Sequence, residues 1–165
     1  MAGSSMPTPS LELVPPAAAD RLSIFVRAAL IVFALALTGV FGIAAWLNPY
    51  EADGTPRKQA THRQLGLPPC TFYEKTGIPC PSCGFTTSFA FTVRMRLWNA
   101  LNANCVGTLL ALFCLAFVPW GLVSALRGRY LFVASLEKAA INCLIVFVAL
   151  MLVRWGIIVG LAVAK

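Results

Sequence analysis

Residues Ala28 to Leu47 read AALIVFALALTGVFGIAAWL, twenty positions without a charge. At 1.5 Å per residue such a helix is about 30 Å long, the thickness of a bilayer's hydrocarbon core. Arg27 precedes the run, while Trp46 and Tyr50 mark its far end, where amphipathic rings favour the membrane interface. Gly39 and Gly42 either admit a neighbouring helix closely or only add flexibility.

Two more runs of this kind follow. Leu97 to Leu126 carries no charge, which places a second span at about 102–124, with Pro119 near its end expected to kink or stop the helix. Ala139 to Ala164 gives a third span at about 139–163, interrupted by Arg154. An arginine there must snorkel to the interface beside Trp155 or face the bundle and meet a polar group. Between the first two spans, residues 85–96 (FTTSFAFTVRMR) are too short to cross. They are expected to form a short interfacial or re-entrant helix.

The composition agrees with these segments. The 165 residues are 59% hydrophobic and 12% charged, against about 25% charged in a soluble domain. The fold class is therefore an all-α integral membrane protein with three transmembrane helices. Residues 1–20, rich in proline and small polar residues, are expected to be a disordered tail. Residues 21–165 are expected to form one membrane domain with a cysteine loop over 68–96.

The net charge of +7 comes from basic residues placed mostly between the apolar runs, without a dense basic stretch interleaved with aromatics. That argues against nucleic acid and for the lipid bilayer as partner. Arg21, Arg27, Arg127, Arg129 and Lys138 group at one set of helix ends. The short basic linker predicts a cytoplasmic N-terminus, in the cytoplasmic membrane, with the cysteine loop outside. Three spans enclose little interior, so another membrane protein or a second copy is an expected partner.

Six cysteines fall into two groups. Cys105, Cys114 and Cys143 lie in apolar helical sequence, where cysteine packs as a small hydrophobe. Cys70, Cys80 and Cys83 lie in the loop, in PCTFYEKTGIPCPSCG. Three chemistries fit them. A metal, zinc foremost, takes the three thiolates with His62 or water as fourth ligand. A thiol–redox pair takes Cys80 as nucleophile and Cys83 as resolving thiol, with a helix starting near Ser82 lowering the Cys80 pKa. A structural disulfide joins Cys70 to Cys80 or Cys83. No Ser–His–Asp set, paired carboxylates or phosphate-binding glycine loop is present, so a non-enzymatic role is expected. The leading expectation is a structural or metal-binding cysteine turn. The alternatives are thiol redox and an accessory subunit of a membrane assembly or transporter.

The run from Pro69 to Cys105 resembles the signature of the bacterial membrane family called domain of unknown function 2752. That pattern has a first cysteine, then T-G-x-x-C-P-x-C-G, a T-R pair and an N-P pair entering the next helix. It falls here on Cys70, Thr76, Gly77, Cys80, Pro81, Cys83, Gly84, Thr86 and Asn104. Thr87 replaces the arginine and Cys105 the proline, leaving Arg94 or Arg154 to stand in for the missing cation. The resemblance implies a small multi-span membrane protein and supplies no activity.

Overall fold

The computed structural model describes residues 22–129 and 136–164. The tail expected over 1–20, Arg21, most of the linker after Arg129, and Lys165 lie outside the described residues. The described chain is helical: α1 (Ile24–Trp46), α2 (Thr71–Thr76), α3 (Phe85–Val93), α4 (Leu97–Arg127) and α5 (Leu136–Val163), with a 3-10 turn at Thr61–Leu65. Among them α1, α4 and α5 are long and apolar enough to cross a membrane.

The distribution of side chains is that of a protein dissolved in lipid. Phe25, Val32, Leu144, Val153 and Leu161 are all more than half exposed. The interior instead holds small and hydroxyl side chains, among them Ala34, Ala90, Ala100, Ala111, Thr87, Ser88, Thr92 and Thr108. Lipid tails are as apolar as leucine, so helices gain by close backbone approach and interhelical hydrogen bonds rather than by hiding large hydrophobes.

Helix α1 starts at a serine cap, Ser23 Oγ accepting from the Val26 amide at 3.3 Å. It runs antiparallel to α4. The Leu22 amide donates to the Gly128 carbonyl at 2.9 Å, and Arg27 Nε donates to the Ala125 carbonyl at 2.7 Å. A cation thus meets the last carbonyls of α4, where the helix dipole is negative. The far end of α1 is closed the same way. The Arg94 guanidinium donates to the carbonyls of Ala44, Ala45 and Leu47 and to Ala90 of its own helix, at 2.7–3.1 Å.

Two expectations need correction. Pro119 neither ends α4 nor breaks it: the helix runs on to Arg127, and its one non-helical residue is Asn104, with φ −161° and ψ 109°. Asn104 offers its own side chain as a new cap, Oδ1 accepting from the Gly107 amide at 3.0 Å, whereas proline within an otherwise intact helix forfeits one amide hydrogen bond. The helix also begins at Leu97 rather than at 102, so WNALNAN is helical before the break. Second, among the described residues no neighbouring side chain or backbone comes within 4 Å of where a Cβ would sit on Gly39 or Gly42, so no described helix packs closely there.

Helix α3 does not join α4. A turn at Arg94–Arg96, with Met95 at φ 56°, folds it back against the first part of α4. Ser88 Oγ lies within hydrogen-bond distance of the carbonyls of Gly84, Ala100 and Asn104, at 3.0–3.1 Å. Phe89 stacks on Phe41 and the Phe91 ring meets Tyr50 edge-on, setting α3 beside the C-terminal turns of α1. Helix α5 packs only lightly, with none of its most apolar window buried. It is tied to the cysteine loop by Trp155 Nε1, which donates to the Pro79 carbonyl at 3.1 Å. The neighbouring Arg154 is half-buried, and its Nη1 has no hydrogen-bond partner among the described residues.

Candidate metal centre

The T-G-x-x-C-P-x-C-G stretch is a chain reversal followed by a turn. Cys70 occupies the cap position before α2. That helix lasts six residues and stops at Gly77, whose φ of 68° suits glycine, its amide donating to the Tyr73 carbonyl. Thr76 Oγ1 donates to the Phe72 carbonyl at 2.7 Å and accepts from the Ile78 amide at 3.2 Å, fixing the reversal. The chain then returns, and Cys80–Cys83 closes a turn through a hydrogen bond from the Cys83 amide to the Cys80 carbonyl at 3.1 Å.

Gly84 ends that turn at φ 91° in a crowded place. A Cβ there would lie 2.7 Å from the Ala103 carbonyl oxygen and 2.9 Å from that of Lys58. Two other backbone segments therefore pass within contact of the residue after Cys83. Helix α3 begins at Phe85, not at Ser82. Gly107 is equally close to α3, since a Cβ on it would sit 2.9 Å from the Phe85 ring.

These segments are locked by polar groups. Asn104 Nδ2 donates to the Cys83 carbonyl at 2.9 Å, while its Oδ1 caps the second part of α4. One fully buried side chain thus serves both the cysteine turn and the helix break. Thr87, at the position where the resembling family has arginine, is buried and shares a 2.8 Å hydrogen bond with Thr61 of the 3-10 turn. The loop over 48–66 is held down further by Gln64, which donates to the Asn48 carbonyl and accepts its amide.

The outcome is a convergence of three sulfurs. The Sγ atoms of Cys70, Cys80 and Cys83 all lie within 4.8 Å of one another, and Cys80 and Cys83 are hydrogen-bonded at 3.0 Å. All are free thiols and partly buried. A zinc ion bonded at ~2.3 Å to sulfur holds tetrahedral ligands ~3.8 Å apart, so small side-chain shifts bring this set to ligand geometry. The thiols share their protons unequally. Burial pushes Cys80 up, but hydrogen bonds from Cys83, Ser82 and Cys70 outweigh it and hold its pKa at about 7. Burial, reinforced by Cys80 and Cys70, pushes Cys83 up to about 12. One thiolate accordingly forms within the cluster near neutrality and is stabilised by its neighbours' S–H groups.

His62 lines the same cleft as the cysteines, but its Nε2 is 3.2 Å from the Pro68 carbonyl and neither ring nitrogen joins the sulfur group. Cys105, Cys114 and Cys143 stay on the spans, apart from the cluster. Arg94 is committed to the end of α1. The sequence singles out Asn104 and Arg94 through the family resemblance but does not give the carbonyls they bond. The available signal was an asparagine inside an otherwise apolar run and an arginine just after a short apolar segment.

A family model described as Protein of unknown function (DUF2752) matches residues 70–118. The match starts at Cys70, contains the cysteine turn, α3 and the Asn104 break, and ends inside α4. It is the family that the Pro69–Cys105 signature resembles. The matched residues are thus the part of the chain that holds the three-sulfur cluster, with α1 packed against its helices and α5 only lightly tied to it. No curated protein and no solved structure matches the chain.

Proposed function

We propose that this chain is a three-span membrane protein whose cysteine turn binds one thiophilic metal ion, zinc foremost, through Cys70, Cys80 and Cys83. The observation that carries the reading is the meeting of three sulfurs from two separate segments at one point. A dithiol redox pair needs two sulfurs, and the backbone reversal at Thr76–Gly77 serves to bring the third. Thiolates select zinc or copper(I) over harder ions. The metal would tie α2 to the turn before α3, a structural and binding role rather than a catalytic one. Elemental analysis of protein purified in detergent tests it. About one zinc per chain, lost in Cys70→Ser and Cys83→Ser, is expected. Metal-free protein that takes up no zinc refutes it.

The unequal Cys80 and Cys83 thiols favour a second reading, thiol–disulfide exchange. The Cys80 thiolate would attack a substrate disulfide and release one thiolate, and Cys83 would then displace the other, leaving a Cys80–Cys83 disulfide. Protein isolated without metal and with that bond formed supports this reading instead.

The bilayer is the protein's main partner in this reading, with the N-terminus on the cytoplasmic side. The hydrogen bonds of Leu22 and Arg27 to the end of α4 group the basic helix ends together, opposite the cysteine turn. The lightly packed α5 leaves a face for another membrane protein or a second copy, as an accessory subunit would. An N-terminal epitope protected in spheroplasts, with protease cleavage at an inserted site in the 51–55 loop, is the expected topology result. The reverse pattern overturns the orientation.

A further inference from the structure

Three sulfurs leave a tetrahedral ion one ligand short, and nothing else in the described chain supplies it. No imidazole nitrogen or carboxylate oxygen lies with the three sulfurs. Closed structural zinc sites have four protein ligands; sites with three keep a position for an exogenous group. Here the sulfurs line a cleft of about 590 Å³, far more than a water needs and within the roughly 300–1,000 Å³ typical of small-molecule sites.

The walls of that cleft have a definite character. Its charged side chains are Arg63, an exposed residue of the 3-10 turn, and Glu74, from α2, with His62 lining the same cleft. One cation and one anion suit a ligand carrying both charges. The third feature is the metal, which prefers a soft donor. We propose, building on the metal-binding reading above, that the fourth coordination position is open to the cleft and takes the sulfur of a small zwitterionic thiol of the cysteine type. The ligand's carboxylate pairs with Arg63 and its ammonium with Glu74. On binding, the ligand's S–H proton goes to solvent, a metal–sulfur bond forms, and the water in the fourth position leaves. Oxidation states do not change.

The test uses the full chain in detergent, loaded with cobalt(II) in place of zinc and checked at one cobalt per chain. Visible absorption of the cobalt reports its ligand set. L-cysteine is expected to strengthen the sulfur-to-cobalt bands saturably, with cobalt remaining on the protein. It should bind roughly tenfold or more tighter than 2-mercaptoethanol, which has the sulfur but neither charge. Cysteamine and 3-mercaptopropionate, with one charge each, should fall between. Arg63→Gln should remove the advantage of 3-mercaptopropionate, and Glu74→Gln that of cysteamine. Both positions are exposed, and far-UV circular dichroism of each variant checks that the fold is kept. His62→Ala should leave the spectrum unchanged. The proposal is overturned if no thiol alters the spectrum, if all four bind within about twofold, if L-cysteine strips the cobalt, or if His62→Ala changes the ligand set. Failure to load any metal would instead refute the metal-binding reading itself.

Discussion

Replacing Gly84 by alanine separates the cost of backbone conformation from the cost of crowding. At φ 91° an alanine carries the left-handed penalty of about 1–2 kcal/mol. Its Cβ would also stand 2.7 Å from the Ala103 carbonyl oxygen and 2.9 Å from that of Lys58. Both are backbone atoms, so relief requires shifting whole segments, one of them next to the Asn104 break. Overpacking of this kind adds about 1–3 kcal/mol, for a total of roughly 2–5 kcal/mol. Gly77 is the matched control, with φ 68° and no atom within 4 Å of its virtual Cβ. Gly77→Ala should lose only the conformational part, about 1–2 kcal/mol. Both variants would be unfolded by increasing SDS in mixed micelles, followed by far-UV circular dichroism. Gly84→Ala should also weaken zinc binding, because Gly84 follows Cys83 directly. Equal losses in the two variants, within about 0.5 kcal/mol, would refute the claim that Gly84 is required by close packing of three segments.

Asn104→Ala should destabilise the fold by about 2–3 kcal/mol, the sum of a lost cap and an unpaired, partly buried Cys83 carbonyl, and weaken zinc binding; wild-type affinity by competition with a chelator would contradict it. Arg94→Lys should cost about 1.5–3 kcal/mol in the same unfolding assay, since one ammonium cannot serve the four carbonyls that the guanidinium fork reaches. Trp155→Phe keeps the ring near Phe72 but loses the bond to the Pro79 carbonyl; limited proteolysis should find α5 released earlier, at a cost of about 1 kcal/mol. In metal-free protein, iodoacetamide should modify Cys80 before Cys83. The thiolate is the nucleophile, so the Cys80 rate should rise with pH through about 7, and one equivalent of zinc should suppress both reactions.

Long apolar runs determine the three spans from sequence alone, two of them uncharged and the third interrupted by Arg154, because the hydrocarbon core sets a length that composition either meets or does not. The C-x9-C-x2-C spacing in one loop likewise marks Cys70, Cys80 and Cys83 as a group, while the six-residue helix and the glycine stop at Gly77 that turn the chain back are seen only in the structure. Other features depend on partners far away in the chain. Pro119 looked like the place where α4 should fail, yet the break is at Asn104, whose side chain answers the Cys83 carbonyl across 21 positions. Arg94, a candidate to stand in for the family's arginine, is instead surrounded by the C-terminal carbonyls of α1, nearly fifty residues earlier. Thr87 stands where a charge was expected and is buried against Thr61 instead. Helix formation and membrane crossing follow from local composition. Which buried polar group satisfies which carbonyl is decided only when distant segments are packed together, because each such group must find its partner within the protein or remain costly.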